Sequence, residues 1–224
     1  MPKQVDHVSR RRLIAEAVCH LADEHGLEGV TLRDVAARAQ VSMGAVQRCF
    51  RTKEEMLVFT LGHIGERIGE RVRARLVRSP AQSAGTALGH AATEISLLRE
   101  EHRAEARVWL AFVAQAAVNE ALATTLRASY APLQETFTRL IAEAADAEAG
   151  SGSDAGADGD GDGDGDGDGD GDAGADRAAL VDPRREARTL LALVDGLTTH
   201  VLIGHLTPPE AQDVLHAHLA RLWA

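Results

Sequence analysis

The densest set of potential metal ligands in the chain is a run of carboxylates. Asp and Gly alternate from residue 158 to residue 172, which places eight Asp side chains at every second position. Carboxylates suit Ca²⁺, but a calcium-binding helix-loop-helix needs Glu at the twelfth position, and the twelfth residue from Asp158 is Gly169. The run also has no apolar residue to form the core of a calcium-binding repeat. We therefore predict a flexible, disordered Asp-Gly linker over about residues 149–177.

Histidine and cysteine side chains are the other candidates for metal or nucleophile chemistry. The chain has ten His and two Cys. His200 and His205 are five residues apart, whereas two ligands on one helix face need a spacing of four. The sequence contains no phosphate-binding loop, HExxH motif or nucleophile elbow. We expect no enzyme activity, no cofactor and no metal site. A helical sensor that binds Ca²⁺ or another metal, through the Asp-Gly tract or the histidines, is the alternative function.

Short polar and basic side chains between residues 31 and 53 suit a different ligand, DNA. Residues 31–50 read TLRDVAARAQVSMGAVQRCF. Val35 and Ala36 give one short helix an apolar face, and Val41 and Val46 supply the matching face of a second. Two short helices joined by a tight turn predict a helix-turn-helix, whose second helix enters the major groove. Small residues at the start of that helix allow a close approach; they are Ser42, Gly44 and Ala45.

The distribution of charge supports a polyanionic partner for this segment. The formal net charge is -10, but residues 151–176 contain ten Asp and no Lys or Arg. Residues 1–53 contain nine Lys and Arg against six Asp and Glu, a net charge of +3. The acidic tract therefore masks a basic N-terminal segment, and a basic segment is what attracts nucleic acid.

The elements that position these residues are predicted to be helices. Apolar residues form 45% and aromatic residues 3% of the chain, and Ala, Leu, Arg and Glu recur at helical spacing outside the acidic tract. This pattern predicts an all-α fold of about nine helices. The helices are expected from Ser9 to Gly26 and over about residues 31–39, 42–50, 52–80, 82–98, 101–118, 119–148, 183–205 and 207–222. No run of about 18 apolar residues and no apolar leader is present, so we expect a cytoplasmic protein without a membrane partner.

The helix-turn-helix lies within a longer pattern that resembles a known family. The run from Gly26 to Ala36 and the run from Val41 to Leu57 are similar to the DNA-binding domain of the TetR family of bacterial regulators, over about residues 10–58. Stretches of the C-terminal half, including LLALVDGLTTHVLIG, resemble the betaine-inhibitor-like subgroup of that family. The resemblance implies a three-helix DNA-binding domain at residues 1–53 and a helical ligand-binding and dimerisation domain at residues 54–224.

The resemblance also implies which residues contact DNA. Thr31 and Lys53 would bind phosphate, and the second helix would face the groove. Gln47 stands where members of the family usually carry Tyr, so its contact with the DNA backbone should be weaker. The residues predicted to contact DNA are Thr31, Arg33, Ser42, Met43, Gly44, Ala45, Gln47, Arg48 and Lys53.

The C-terminal half is expected to supply a dimer interface and a ligand pocket. In the family the last two helices pair with their copies as a four-helix bundle; the candidate interface residues are Leu190, Val194, Leu197, Val201, Leu215, Leu219 and Leu222. A core within one chain is the alternative for these residues. Helices between residues 82 and 148 would enclose the ligand; the candidate pocket residues are His90, Glu94, Trp109, Phe112, Tyr130 and Phe137. Plain core is the alternative for the aromatic residues, and surface exposure for His90 and Glu94.

Together these expectations describe a ligand-responsive transcriptional regulator. A homodimer would bind a palindromic operator in double-stranded DNA as a repressor, because two recognition helices on a two-fold axis read a palindrome. An unidentified small-molecule effector would bind in the C-terminal half. Its binding would move the helix that connects the two domains and spoil the spacing of the recognition helices.

Overall fold

Nine α-helices and one 3₁₀ turn form the part of the chain that the computed structural model describes. That part is residues 2–78, 83–153 and 182–222, with side chains for residues 7–78, 83–147 and 182–222. The helices are α1 Pro2–His25, α2 Leu32–Arg38, α3 Met43–Cys49, α4 Lys53–Arg78, α5 Ala84–Ile95, α6 Arg103–Ala116, α7 Glu120–Ser153, α8 Pro183–Leu202 and α9 Pro208–Arg221, and the 3₁₀ turn Glu100–His102 precedes α6. The all-α prediction is confirmed. None of these nine helices combines the length and the apolar character needed to cross a bilayer.

Two helix boundaries differ from the prediction. Helix α1 begins at Pro2 and not after Ser9. Proline is tolerated there because the first helical residues have no intrahelical partner for their N–H groups. Helix α7 continues through Ser153, so it includes the first five residues of the segment predicted as an Asp-Gly linker. The rest of that prediction falls on residues 154–177, which lie outside the described part of the chain.

Most predicted helix starts are confirmed by side-chain caps. The Ser42 hydroxyl accepts a hydrogen bond from the Ala45 N–H at 3.1 Å and begins α3. Thr207 and Glu210 form a complete capping box at the start of α9. Each such cap stabilises a helix by about 1 kcal/mol, since it satisfies N–H groups that have no partner within the helix. Gly26 ends α1 in the left-handed region, with φ +71°, where glycine is favoured.

The first three helices pack on the start of α4 through a small apolar core. Val35 and Val46 are fully buried where α2 and α3 meet α1. Phe50 follows α3 and is also buried. The Phe50 and Phe59 rings contact each other, with centroids 5.4 Å apart, and the Arg11 guanidinium of α1 lies over both, 4.5 and 4.4 Å from their centroids. These cation–π contacts join the end of α3 to α1 and α4, and thereby help to hold α3 in place.

The remaining helices pack around α4 and α7. Helix α4 contacts α1, α5 and α7, and α7 also packs on α8. A buried ion cluster links α4 to two of its neighbours: Arg71 of α4 lies 3.3 Å from a Glu94 oxygen of α5 and 2.6 Å from a Glu105 oxygen of α6. Both carboxylates are nearly inaccessible to solvent. The cluster fixes the relative positions of α4, α5 and α6.

Candidate functional site

Helices α2 and α3 form the predicted helix-turn-helix. Gln40 lies between them with φ +54°, and this left-handed residue reverses the chain. The Val41 N–H then donates to the Ala36 oxygen at 3.0 Å, which closes the turn. Val35, Ala36 and Val46 are buried between the helices, as their spacing predicted.

The outer face of α3 carries most of the residues predicted to reach the groove. Met43 is 40% exposed, Gln47 and Arg48 are exposed, and Gly44 is half-buried beside them. Ala45 differs from the prediction because it is only 8% exposed. The helical period places it on the inward face with Val46 and Cys49, which accounts for its burial.

The residues predicted to bind phosphate, Thr31 and Lys53, already have hydrogen-bond partners within the chain. The Thr31 hydroxyl caps α2 by accepting from the Asp34 N–H at 3.2 Å, and it donates to the Asp34 carboxylate at 2.6 Å. The Lys53 ammonium donates to the Glu28 oxygen at 3.3 Å. Ser42 is exposed and uses its hydroxyl as an acceptor, so its hydroxyl hydrogen stays available to a ligand. Arg33 is exposed.

An apolar cleft in the C-terminal half lies between α4, α5, α6, α7 and α8. The space that it encloses is about 10 Å³, room for about one water molecule, and the rest of the cleft opens to solvent. Its lining residues are Gly65, Ile68, Ile95, Trp109, Ser129, Tyr130, Leu133 and Asp195. The Trp109 and Tyr130 rings meet edge to face, with centroids 5.8 Å apart and planes at 75°. Gly65 lets α4 approach α7 closely, because a Cβ there would lie 2.7 Å from the Ser129 hydroxyl oxygen. The cleft has the mostly apolar lining, with a few polar groups, that is typical of small-molecule sites.

The structure brings two of the six predicted pocket residues together. Trp109 and Tyr130 line the cleft. Phe112 and Phe137 are fully buried core residues outside its lining. Glu94 belongs to the ion cluster with Arg71, and His90 is half-buried on α5 away from the cleft.

Asp195 is a residue of this cleft that the sequence analysis missed. The Tyr130 hydroxyl donates to its Oδ2 atom. Burial raises the pKa of the Asp195 carboxyl, although hydrogen bonds from Tyr130 and Trp109 oppose the shift. Burial and the nearby Asp195 charge raise the pKa of Tyr130, so its hydroxyl stays protonated. The sequence did contain a signal, a single acidic residue inside the apolar run LLALVDGL.

The residues predicted for the dimer interface are buried within one chain. Leu190, Val194, Leu197, Val201, Leu215 and Leu219 all belong to the core, and Leu222 is half-buried. Their burial therefore needs no second copy, and the alternative of an intramolecular core fits these six residues. The outward faces of α8 and α9 carry other apolar or small residues: Ala192, Gly196, Ile203, Val214 and Ala217. Ile203 is 71% exposed and Val214 43% exposed.

The candidates for metal binding and thiol chemistry are the His, Cys, Asp and Glu side chains of the described residues. No group of three or more His, Cys, Asp or Glu side chains in residues 7–78, 83–147 and 182–222 could hold a metal ion. Cys19 and Cys49 are free. Burial, together with the Glu16 charge, raises the pKa of the Cys19 thiol to about 12, so it is unreactive at neutral pH.

Comparison with known proteins covers both halves of the chain. Residues 14–58 match the family described as bacterial regulatory proteins of the tetR family. Residues 84–158 and 171–224, more than half of the chain, match the family described as BetI-type transcriptional repressor, C-terminal. The HTH-type transcriptional regulator PksA of Bacillus subtilis is 36% identical over 118 residues, which are 52% of this chain and 56% of PksA. The chain thus matches about half the length of that relative.

Two solved structures share the fold along nearly the whole chain. A transcriptional regulator from a Rhodococcus species has a TM-score of 0.71 and 24% identity, with 95% of each chain covered. A putative transcriptional regulator from Saccharomonospora viridis, in complex with choline, has a TM-score of 0.72 and 20% identity, with 95% of this chain and 96% of that chain covered. At these identities the similarity establishes the fold.

Proposed function

The chain belongs to the TetR family of bacterial transcriptional regulators, with a BetI-type C-terminal domain, and on that premise we propose that it is a homodimeric repressor. The dimer binds a palindromic operator in double-stranded DNA, and a small-molecule effector in the C-terminal domain releases it. Regulation of a chromosomal operator places the protein in the cytoplasm. The family consists of regulators, so the chain is not an enzyme.

The observation that carries this proposal is the outer face of α3. Met43, Gln47 and Arg48 are exposed there, while the opposite face of the same helix packs on the core. Gly44 has no packing role within the chain, because a Cβ at this position would meet only the Arg48 Nη1 atom, at 3.5 Å. A glycine inside a helix costs up to about 1 kcal/mol relative to alanine. The absence of a side chain at Gly44 lets α3 approach the floor of the major groove closely.

Phosphate contacts supply affinity around this face. Thr31 and Lys53 lie at the starts of α2 and α4, on either side of α3 in sequence, and residues 1–53 carry a net charge of +3. Cations that neutralise DNA phosphates release counterions, so binding weakens steeply as salt rises. The exposed side chains of α3 then select the sequence through base edges.

Dimerisation uses the outward faces of α8 and α9. Most of the leucine and valine residues of these helices fill the core, so the apolar or small residues available to a second copy are Ala192, Gly196, Ile203, Val214 and Ala217. A Cβ at Gly196 would meet nothing within 4 Å, so the backbone of α8 is open to a partner there. A two-fold axis through these helices presents two copies of α3 to one side of the DNA.

The effector acts through α6. This helix carries Trp109 in the cleft and Arg107, whose guanidinium bonds to Asp23 of α1. A ligand that enters the cleft displaces α6, and the displacement reaches α1 and the helix-turn-helix packed on it. Only a ligand that prefers the displaced state can shift the equilibrium away from DNA binding.

The test is a fluorescence-anisotropy titration of the full-length protein against DNA from upstream of its own gene and the neighbouring genes. We expect one fragment to bind with a Kd in the range of about 10⁻⁸ to 10⁻¹¹ M that specific regulators reach. That affinity should fall sharply with added salt. If no flanking fragment binds more tightly than unrelated DNA at low salt, the proposal is wrong.

A further inference from the structure

The turn between α6 and α7 contacts the first turn of α4 through Asn119. The Asn119 Nδ2 atom donates to Oε1 of Glu54 at 3.0 Å. The two preceding residues of this turn are exposed, and Val118 is 82% exposed. Apolar packing therefore does not hold the turn at Val118, and the hydrogen bond to Glu54 is a polar contact made from a solvent-exposed turn.

The amide of Asn119 matches two partners at once. Its Oδ1 atom accepts from the Leu122 N–H at 3.0 Å, which caps the start of α7. Its Nδ2 atom donates to the Glu54 carboxylate. A backbone N–H can only donate and a carboxylate accepts, so the pair of partners needs both halves of an amide. Ser or Asp would cap α7 equally well. Capping alone therefore does not require an amide, whereas the contact with Glu54 does.

This contact lies at the end of a long line of packing between α4 and α7. Further along both helices a Cβ at Gly65 would lie 2.7 Å from the Ser129 hydroxyl oxygen, so the two backbones are close there. Glu54 precedes Gly65 by eleven residues and Asn119 precedes Ser129 by ten. At a rise of about 1.5 Å per residue the two lengths nearly match, so the helices run in step from one contact to the other. The hydrogen bond thus extends the line of packing to the first turn of α4.

The first turn of α4 is joined to the DNA-reading helices on its other side. Lys53 donates to the Glu28 oxygen in the loop between α1 and α2, at 3.3 Å. Only three residues separate the end of α3 at Cys49 from Lys53. Two consecutive side chains, Lys53 and Glu54, therefore tie one helical turn to the helix-turn-helix and to the C-terminal half. A shift of this turn must move the end of α3.

We propose that Asn119 is a positioning residue for DNA binding. Its hydrogen bond to Glu54 holds the first turn of α4, and with it Lys53 and the end of α3, in the position that fits the operator. Hydrogen bonds to a carboxylate are stronger than those between neutral groups, so the loss of this bond has a measurable effect. The inference rests on the proposed function, because operator affinity is its main readout.

The test reverses the direction of the hydrogen bond. Asn119→Asp keeps the cap of α7 but sets a second carboxylate against Glu54, and we expect operator affinity to fall about fivefold or more. Adding Glu54→Gln supplies a donor from the other side, and the double variant should return to within about twofold of the wild type. Anisotropy titrations of the full-length proteins measure these affinities. No loss in the single variant, or a loss that the double variant does not recover, would overturn the proposal.

Two further variants separate the hydrogen bond from its charge. Val118→Asp adds the same charge to the same turn at an exposed position and should leave operator affinity within about twofold of the wild type. If it weakens binding as much as Asn119→Asp, the added charge is the cause and the proposal is wrong. Asn119→Ser caps α7 without an amide donor. It should also weaken operator binding, and it replaces Asn119→Asp in the test if that variant does not fold.

Hydrogen exchange of the protein without DNA tests the position of α4 directly. Backbone amides at the start of α4 should exchange faster in Asn119→Asp and return to the wild-type rate when Glu54→Gln is added. A role limited to capping would change the amides of α7 and leave those of α4 unchanged, which would reject the proposal. Failure of the proposed function is seen differently, as a wild type that binds no operator. Operator binding that is equal in the wild type and Asn119→Asp rejects the positioning role and leaves the regulator intact.

Discussion

Arg107 of α6 and Asp23 of α1 form an ion pair with two hydrogen bonds. The Arg107 Nε atom lies 2.6 Å from Oδ1 of Asp23, and its Nη2 atom lies 3.1 Å from Oδ2. Trp109 lies two residues further along α6 and lines the cleft. One rigid helix therefore contacts both the proposed effector site and the helix on which the DNA-reading helices pack. Helix α4 also lines the cleft and packs on α1, so α6 is one of two helices that connect the two sites.

Replacement of Arg107 should weaken the coupling between effector and DNA. In Arg107→Ala we expect the free protein to bind its operator within a few-fold of the wild type, because a partly exposed ion pair contributes less than about 1 kcal/mol to stability. The loss of operator affinity caused by a saturating effector should shrink by about fivefold or more, since coupling energies of about 1–3 kcal/mol are typical. Anisotropy titrations with and without the effector measure both quantities.

The control for this prediction is Arg139→Ala. Arg139 forms an exposed ion pair with Glu143 within α7, 2.9 Å long, and has no contact with α1. That variant should keep the full loss of operator affinity that the effector causes. If Arg107→Ala also keeps it, α6 does not transmit the signal through Asp23.

Replacement of Gly44 should raise the stability of the fold and lower its affinity for DNA. Gly44→Ala adds a methyl group that the folded chain accommodates, so we expect the free energy of unfolding to rise by up to about 1 kcal/mol. Operator affinity should fall by about tenfold or more, because the methyl group keeps α3 away from the groove. Chemical denaturation and anisotropy titration measure the two effects.

A matched control exists for Gly44 on α4. A Cβ at Gly69 would meet the Arg73 Nη1 atom at 3.4 Å, nearly the same surroundings as a Cβ at Gly44. Gly69→Ala should therefore stabilise the fold and leave operator affinity unchanged. Equal operator binding by both variants would show that α3 does not approach DNA at Gly44.

Replacement of Arg71 should destabilise the fold strongly. Arg71→Met leaves the carboxylates of Glu94 and Glu105 without their main cation in a nearly water-free position. Breaking a buried ion pair on one side costs about 3–5 kcal/mol. Addition of Glu94→Gln and Glu105→Gln should recover much of that loss. Urea denaturation measures the free energies, and a cost no greater than that of Arg139→Ala would contradict the prediction.

The stability of Asp195→Asn should depend on pH in a defined direction. The pKa of Asp195 is raised in the folded state, so its contribution to stability is present below the ordinary Asp pKa of about 3.9 and is lost as pH rises through the raised value. At neutral pH the charged side chain therefore costs stability, and Asp195→Asn removes that cost. We expect its melting temperature to exceed that of the wild type at neutral pH.

The same difference should shrink as the pH falls towards the ordinary range of Asp. Calorimetric melting of both proteins across the acidic and neutral range measures it. Asp213→Asn, at an exposed position, should show no such pH-dependent difference. A wild type that is more stable than Asp195→Asn at neutral pH would contradict a raised pKa for the buried Asp195 carboxyl.

The helix-turn-helix could be predicted from the sequence because local signals decide it. Ser42 and Thr207 cap the helices that follow them, as expected, and Val35 and Val46 lie where the helical period puts them. Ala45 was assigned to the outer face because it is small. Its burial follows from its position around the axis of α3, next to Val46, and not from its small size.

The cleft and the faces of the last helices could not be read in the same way. Trp109, Tyr130 and Asp195 come from three helices, and only the packing of those helices brings them together. The apolar residues of α8 form one stripe at helical spacing. Such a stripe is expected both where a helix packs within its own chain and where it packs on a second copy, so the sequence does not separate the two. Which of the two applies depends on α7, which covers that stripe within the chain.

Hydroxyl-radical footprinting of the operator tests the central claim most directly. The account predicts two protected half-sites related by two-fold symmetry, with centres about one helical turn or a small multiple of about 10.5 base pairs apart. Arg48→Ala should lose this protection under salt conditions where the wild type and Arg139→Ala retain it. A single unpaired protected region, or a footprint that Arg48→Ala leaves unchanged, would contradict a dimer that reads DNA with the outer face of α3.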